Sequence, residues 1–282
     1  MNLDFIAYPL GKLLVFIYNT LAFNNYGLAI IIFTILIKLL LMPLTFKQYK
    51  STLAMQEIQP EIQNIQKRYR NDKEKLNQEI MKLYSEHKIN PMAGCLPLLI
   101  QLPIIIALYW VIVQPLKFML LKTVEQIDHI VGVAAAANTK MSMLQEQLAA
   151  LNFFNENRDA LSQVAGSLSA NELIDFNFLG LKLGYTASYR PAEIMADPLT
   201  YLPLLLLPAI GVVVTYVATA MAMPKNTSSG SGDQAAAMVG SMTNSMKYFA
   251  PLMTLIFSFQ LPAGVVLYWI ASYAFQIVQQ FF

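Results

Sequence analysis

Cysteine, histidine and charge are what this chain has least of. One cysteine, Cys95, excludes an internal disulfide, and two histidines, His87 and His129, leave little from which to build a metal cluster. Charged residues make up 13% of the 282 positions, against roughly 25% in an ordinary soluble domain. The 19 Lys and Arg and the 17 Asp and Glu leave a net charge of +2. That balance is too even to draw the chain to nucleic acid by charge alone, and no DNA partner is expected. Residues 1–25 do not read as a cleavable signal: Asp4 and Lys12 flank only a short apolar run, and no small-residue cleavage site follows.

What the chain does have is apolar sequence, 56% of the total. Hydrophobic runs at 26–46, 91–115 and 199–223 each reach the roughly 20 residues that a spanning helix needs. The last apolar stretch is broken by Leu261-Pro262-Ala263-Gly264. Unbroken, it would rise about 52 Å against about 30 Å of hydrocarbon. Proline removes a backbone donor and glycine favours a turn, so two helices, 248–260 and 265–282, are expected around a tight turn at 261–264. The fold class is therefore all-α: a polytopic membrane protein with five transmembrane helices. Residues 1–25, with apolar positions beside Asp4, Lys12, Asn19 and Thr20, read as a helix lying in the outer interface, a sixth span being the alternative.

The loop 47–90 carries nine Lys and Arg, whereas 116–198, almost twice as long, carries six against nine acids. The positive-inside rule puts 47–90 in the cytoplasm. The N-terminus is then outside and the C-terminus inside, the segment 116–198 is extracytoplasmic, and the Ser/Gly-rich 224–247 is a flexible cytoplasmic loop. Within 47–90, Ile58, Ile62, Ile65 and Tyr69 form one apolar stripe, and Leu76, Ile80 and Leu83 form a second after Asn71-Asp72. Two such stripes joined by a short polar turn pair as an antiparallel helical hairpin, with Pro60 kinking the first helix or marking its start. Its basic residues Lys67, Arg68, Arg70, Lys73 and Lys75 mark a candidate docking surface for a cytoplasmic partner, anionic lipid headgroups or ribosomal RNA. A solvated connector is the plainer reading.

Lys38 is the one charge inside the first span, and the five spans hold no Asp or Glu to pair with it. A central lysine costs about 2.5–3.5 kcal/mol on insertion scales, so such a residue faces a bundle interior or a water-filled cavity. Snorkelling relieves that cost only in part. Thr34, Gln101, Thr215, Tyr216, Ser258, Gln260 and Gln276 supply polar neighbours on the spans, and with Lys38 they suggest a polar groove. Prolines at 97, 103, 203, 208 and 251 bend the helices around it.

These residues resemble the YidC membrane protein insertase family, whose members occur in bacteria, mitochondria and chloroplasts. The matching stretches are Asn25-Tyr26-Gly27-Leu28-Ala29 leading to the cation and Met42-Pro43-Leu44; Asn90-Pro91-Met92-Ala93-Gly94-Cys95-Leu96-Pro97 with Gln101-Leu102-Pro103; and Leu261-Pro262-Ala263-Gly264 with Leu267-Tyr268-Trp269. The cation position, usually Arg in the family, is Lys38 here, which keeps the charge and loses the forked donor. The outer segment 116–198 is longer than the family pattern. Leu144, Leu148 and Leu151 mark helix there, and Ser169 with Glu172 a capping box. A large extracytoplasmic domain near the N-terminus and a basic C-terminal tail are not expected.

The resemblance implies a bacterial inner-membrane insertase with no catalytic residues, cofactor or metal. It implies a substrate groove at Lys38, Thr34, Gln101, Thr215, Gln260, Trp269 and Gln276. Nascent membrane proteins are the implied substrates, with the ribosome, the Sec translocation channel and membrane lipids as candidate partners. Two rival readings stay open: a small anion transporter or channel that binds at Lys38, and a membrane scaffold that recruits a cytoplasmic partner through the hairpin. An intramembrane enzyme is not expected, because neither histidine has a Ser, Cys or acid placed with it.

Overall fold

The computed structural model describes residues 3–70, 72–87, 96–137, 145–222 and 247–281, without the side chains of 47–49, 51–52, 55–56 and 96–101. Asn71, Cys95, Leu144, the loop residues 223–246 and the Gln101 side chain therefore lie outside it. The described chain is helical apart from one short hairpin. In order it forms α1 (Asp4–Thr20), α2 (Tyr26–Glu57), α3 (Gln59–Arg68), α4 (Lys73–Glu86), α5 (Leu96–Val113), α6 (Pro115–Phe118), α7 (Val124–Ala136) and α8 (Glu146–Glu156). Two 3-10 segments follow, Arg158–Val164 and Ala170–Glu172, then strands β1 (Asn177–Phe178) and β2 (Leu181–Lys182). The remainder is α9 (Pro191–Ala196), α10 (Pro198–Leu204), α11 (Leu206–Ala222), α12 (247–258) and α13 (Ala263–Gln279).

The helices α2, α5, α11, α12 and α13 form the bundle. α13 packs on both α2 and α11. Gly264, in its first turn, sits so close to three neighbours that an added Cβ would touch Ile30 at 3.4 Å, Tyr26 at 3.5 Å and Ile112 at 3.6 Å. The starts of α2 and α13 and the end of α5 thus meet at one end of the bundle. At the other end, Gln279 Nε2 donates to Thr45 Oγ1 at 3.0 Å. α2 and α13 are therefore parallel, and α5 runs against them.

Apolar side chains cover the outside of this bundle as well as its inside. Leu40 is 75% exposed on α2, Val213 60% on α11 and Leu252 51% on α12. A belt of that kind has no place in water and suits hydrocarbon. Two segments, Tyr26–Phe46 and Pro198–Ala222, are long and apolar enough to cross a bilayer, with mean hydropathy 2.5 and 2.2. Leu102–Val113 and Ala263–Gln279 are apolar and shorter.

Two features differ from the simplest picture of straight spans and linkers. α2 continues past the apolar run to Glu57, because no Gly or Pro interrupts Leu44–Gln59, and only Ile58 separates it from α3. The segment Pro198–Ala222 breaks at Leu205. Pro208 offers no N–H to the Leu204 carbonyl, and the turn tightens so that Leu205 N donates to Leu202 O at 3.2 Å.

The basic loop is the expected hairpin. Pro60 occupies the first turn of α3 rather than kinking it, and Asp72 caps α4 by accepting from Lys75 N at 3.0 Å. Ile58, Ile62 and Leu83 are buried between the helices, with Ile65, Ile80 and Tyr84 packed beside them.

A folded cap covers the end of the bundle where Tyr26, Ile112 and Gly264 meet. It is built from α1, α6–α8, the 3-10 segments and the β hairpin, around Leu116, Phe118, Ile130, Leu148, Leu151, Phe154 and Phe176. Leu148 and Leu151 are buried on α8, and the Ser169/Glu172 capping box is present, on a 3-10 turn. α1 packs on α5 and α2 of the bundle and also touches this cap. Asp4 pairs with Lys117 at 3.0 Å, an added Cβ on Gly11 would collide with the Phe118 backbone, and Tyr18 OH accepts from Asp175 N at 3.1 Å.

Candidate functional site

Lys38 lies twelve residues into α2, on a helix whose neighbours in sequence are all apolar from Ile35 to Leu41. Its side chain is half-buried, between exposed Leu36 and Leu39 and buried Phe33 and Ile37. Among the described residues no carboxylate and no hydrogen-bonding group partners its ammonium. The ties at Gly264 and Gln279 fix the register of α13 along α2. Lys38 is thereby roughly level with the turn at Ser272–Tyr273. Trp269 lies one turn toward the capped end and Gln276 one turn toward the other. Trp269 and Gln276 are both half-buried, and the Trp269 ring meets Phe257 edge-on at 6.0 Å.

The other polar residues are placed differently. Thr34 is fully buried and its hydroxyl donates to its own helix, at Ile30 O, 2.6 Å away. Thr215 is also fully buried, and its hydroxyl lies 3.3 Å from that of Thr254, joining α11 to α12. Ser258 donates to Thr254 O at 2.6 Å. Tyr216 is exposed, with its ring 6.1 Å from that of Tyr248. Gln260 is exposed in the turn before α13, where its carbonyl accepts from Gln145 Nε2 of the cap at 3.4 Å. Lys38, Trp269 and Gln276 thus stand within about one helical turn of the same level along two parallel helices. Thr34 and Thr215 spend their hydroxyls on helix packing, and Gln260 stands at the capped end.

The basic residues of the hairpin cluster at its tip. Lys67, Arg68, Arg70, Lys73 and Lys75 are all exposed, and Tyr69 sits among them with Arg68 Cζ at 5.9 Å and Lys75 Nζ at 5.6 Å from its ring centroid. Contrary to the sequence expectation, each histidine does have such a neighbour: His87 at the base of α4 lies 3.8 Å from Glu61 of α3, and His129 Nδ1 lies 3.0 Å from Ser167 Oγ.

Sequence reasoning did not find how the cap is fastened to the bundle. The first N–H groups of α13 have no partners in their own helix. Ala263 N donates to Tyr185 O at 2.8 Å and Gly264 N to Leu183 O at 3.0 Å. Phe176 packs edge-on against Tyr26 at 4.9 Å, and Phe178 covers Gly27. Glu156 holds the strand end from below, accepting from Lys182 Nζ at 2.8 Å and Tyr185 OH at 2.9 Å. Burial and that carboxylate push the Tyr185 phenol above its ordinary range. Burial also works against ionisation of Glu172, but the Lys122 ammonium at 2.6 Å and the Ser169 donors outweigh it and hold the carboxyl below its usual range. The one available signal was the alternation Ile174, Phe176, Phe178 with Asp175 and Asn177, a period of two ending at Leu179-Gly180.

Known proteins resemble this chain over most of its length. A membrane protein insertase YidC of Fusobacterium nucleatum subsp. nucleatum is 30% identical over 282 residues, covering 99% of this chain and 97% of that protein. A protein of the same name from Clostridium tetani is 48% identical over 125 residues, 43% of this chain and 57% of that protein. One from Actinobacillus pleuropneumoniae serotype 3 is 50% identical over 113 residues, which is 40% of this chain and only 20% of that longer protein. The family described as 60Kd inner membrane protein matches residues 16–282. With nearly the whole chain matched, this protein belongs to the 60Kd inner membrane protein family.

Proposed function

We propose that this protein inserts other membrane proteins into the bacterial inner membrane, through a hydrated groove beside Lys38. In this reading five helices span the bilayer: 26–46, 91–115, 199–223, 248–260 and 265–282. The N-terminus and the cap are outside, and the hairpin and C-terminus are in the cytoplasm. The relatives' shared name and the family match support the activity. Lys38 carries the mechanism: a half-buried ammonium on an apolar helix, with no partner among the described residues. Such a cation needs water, lipid phosphate or a visiting anionic group.

The physics of the step is electrostatic and hydrophobic, with no covalent change. A nascent span must carry its polar outer flank across hydrocarbon. Water around Lys38 shortens the low-dielectric path, and the ammonium attracts acidic groups transiently. The apolar part of the substrate then partitions sideways, favoured by about 25 cal/mol per Å² of apolar area removed from water. α1, with Phe5 74% and Phe16 59% exposed, lies in the outer headgroup region. The basic tip around Tyr69 is where a ribosome, a Sec channel or an anionic membrane surface would meet the hairpin.

Site-directed crosslinking from positions 38, 101 and 269 to a stalled nascent membrane protein tests the groove. Complementation tests the charge: Lys38→Arg is expected to retain function, whereas Lys38→Ala and Lys38→Glu impair substrates with acidic flanks. Parental behaviour of Lys38→Glu would defeat the proposal.

A further inference from the structure

A cleft of about 830 Å³ opens beside the capped end of the bundle, away from Lys38, between the chain after β2 and the outer end of α12. Its two walls differ in chemistry. One is apolar: Leu255, Ile256 and Phe259 of α12 and the turn after it, with Leu255 39% and Ile256 40% exposed in the lipid-facing belt. The other is polar and charged. Arg190 Nη1 lies 3.3 Å from Glu193 Oε1, and Ser188, buried beneath them, accepts from Arg190 N at 3.1 Å. Tyr189 closes one side, its ring 5.4 Å edge-on from Phe259, and Tyr201 lines the floor. The polar wall continues the cap; the apolar wall continues the bundle. The cleft therefore straddles the level at which headgroups give way to acyl chains.

We infer that this cleft binds a zwitterionic aminophospholipid of the outer leaflet, with its phosphate on Arg190, its ammonium on Glu193 and an acyl chain along Leu255, Ile256 and Phe259. The charge pattern selects the headgroup. A cation and an anion side by side match a phosphate and an amine side by side, since a guanidinium forks onto phosphate oxygens and a carboxylate accepts from an ammonium. Glu193 and Asp197 both act on Tyr201 of the cleft floor, with Lys182 acting in the opposite sense. A lipid with phosphate alone would leave those carboxylates facing its own charge. A choline headgroup offers them no N–H donor. The size suits one lipid headgroup and the upper part of its chains, within the range of small-molecule sites. The inference rests on the membrane placement of α12 given above and is independent of the activity at Lys38.

The test uses the full chain reconstituted in nanodiscs of phosphatidylethanolamine, phosphatidylcholine and phosphatidylglycerol in equal amounts. The protein is then extracted in mild detergent, and the retained lipid is measured by native mass spectrometry. Several-fold enrichment of phosphatidylethanolamine over both others is expected. Arg190→Gln and Glu193→Gln should each abolish the preference, and Ile256→Trp, which fills the apolar wall, should abolish retention with an unchanged melting temperature. Equal retention of the three lipids, enrichment of phosphatidylglycerol, or enrichment that survives Arg190→Gln overturns the assignment. So does a photocrosslinker at 256 that captures translocating polypeptide in place of lipid. Substrate insertion measured on the same samples separates the two readings: loss of lipid selectivity with intact insertion leaves the Lys38 mechanism standing, and the converse result leaves the lipid site standing.

Discussion

The backbone N–H of Gly264 donates to the carbonyl of Leu183 at 3.0 Å, so the first turn of α13 is capped by the residue after β2, 81 residues earlier in the chain. That bond ties the cap to the bundle at the point where three helix ends converge. It also explains why glycines near this junction should differ in tolerance. A Cβ at Gly264 meets only ordinary contacts, the nearest at 3.4 Å, whereas one at Gly27 would fall inside the Phe178 ring and one at Gly11 inside the Phe118 backbone. Gly27→Ala and Gly11→Ala are expected to lose about 1–3 kcal/mol, the usual cost of overpacking, and Gly264→Ala much less. Thermal melting in detergent ranks the three, and equal losses would contradict the docking of the cap.

Leu179 sits at the tip of the β hairpin with φ 51° and is 87% exposed. A left-handed backbone costs a leucine roughly 1–2 kcal/mol, and Asn tolerates it better. Leu179→Asn is therefore expected to raise the melting temperature of the cap. A fall would mean that the exposed side chain makes a stabilising contact of its own.

Thr215 and Thr254 face each other at 3.3 Å in a buried seam. Interhelical hydroxyl bonds inside membrane proteins average about 0.6 kcal/mol. A double-mutant cycle with Thr215→Val and Thr254→Val should return a coupling of that order. Thr34, bonded only to its own helix, should tolerate Ser with insertion unchanged, in contrast to substitutions at Lys38.

Glu172 links pH to the stability of the cap. Its folded carboxyl is held low by Lys122 and Ser169, so its stabilising contribution is present above the ordinary carboxylate range, about 4.3, and is lost as pH falls through the depressed folded value. Lys122, only 10% exposed, then loses its counter-charge. Hydrogen-exchange protection over 122–136 and 164–174, measured relative to the intrinsic exchange rate at each pH, should fall as the medium is acidified in the parent. In Glu172→Gln that protection should be low already at neutral pH and respond little to acid. An unchanged response in that variant would assign the acid sensitivity to another carboxyl.

Much of the architecture was legible because it follows from local periodicity. The stripe Ile58, Ile62, Ile65 and the stripe Ile80, Leu83 required a helical hairpin, and the burial of Ile58, Ile62 and Leu83 between the helices agrees. Of the two roles open to Pro60, a kink or a helix start, the start is the one it takes, and Asp72, read only as part of the turn, also caps α4. Thr34 shows where such reading ends. A hydroxyl beside a lysine on an apolar helix looks like a groove residue, yet the Ile30 carbonyl four residues earlier takes its hydrogen bond. Gln260 likewise reads as a polar span residue, but the turn at Leu261-Pro262 leaves it against Gln145 of the cap.

The amino-acid order alone determined the apolar segments, the lone cation at position 38, the basic hairpin and the turn before α13, since each depends on neighbours within a few residues. Tertiary structure decided which ends of those helices meet, which hydroxyls are already bonded, and that the described residues after α5, 115–137 and 145–197, fold as a cap whose carbonyls complete α13. Those outcomes depend on contacts between groups tens to hundreds of residues apart, such as Thr45 with Gln279 and Leu183 with Gly264, and no local periodicity encodes them.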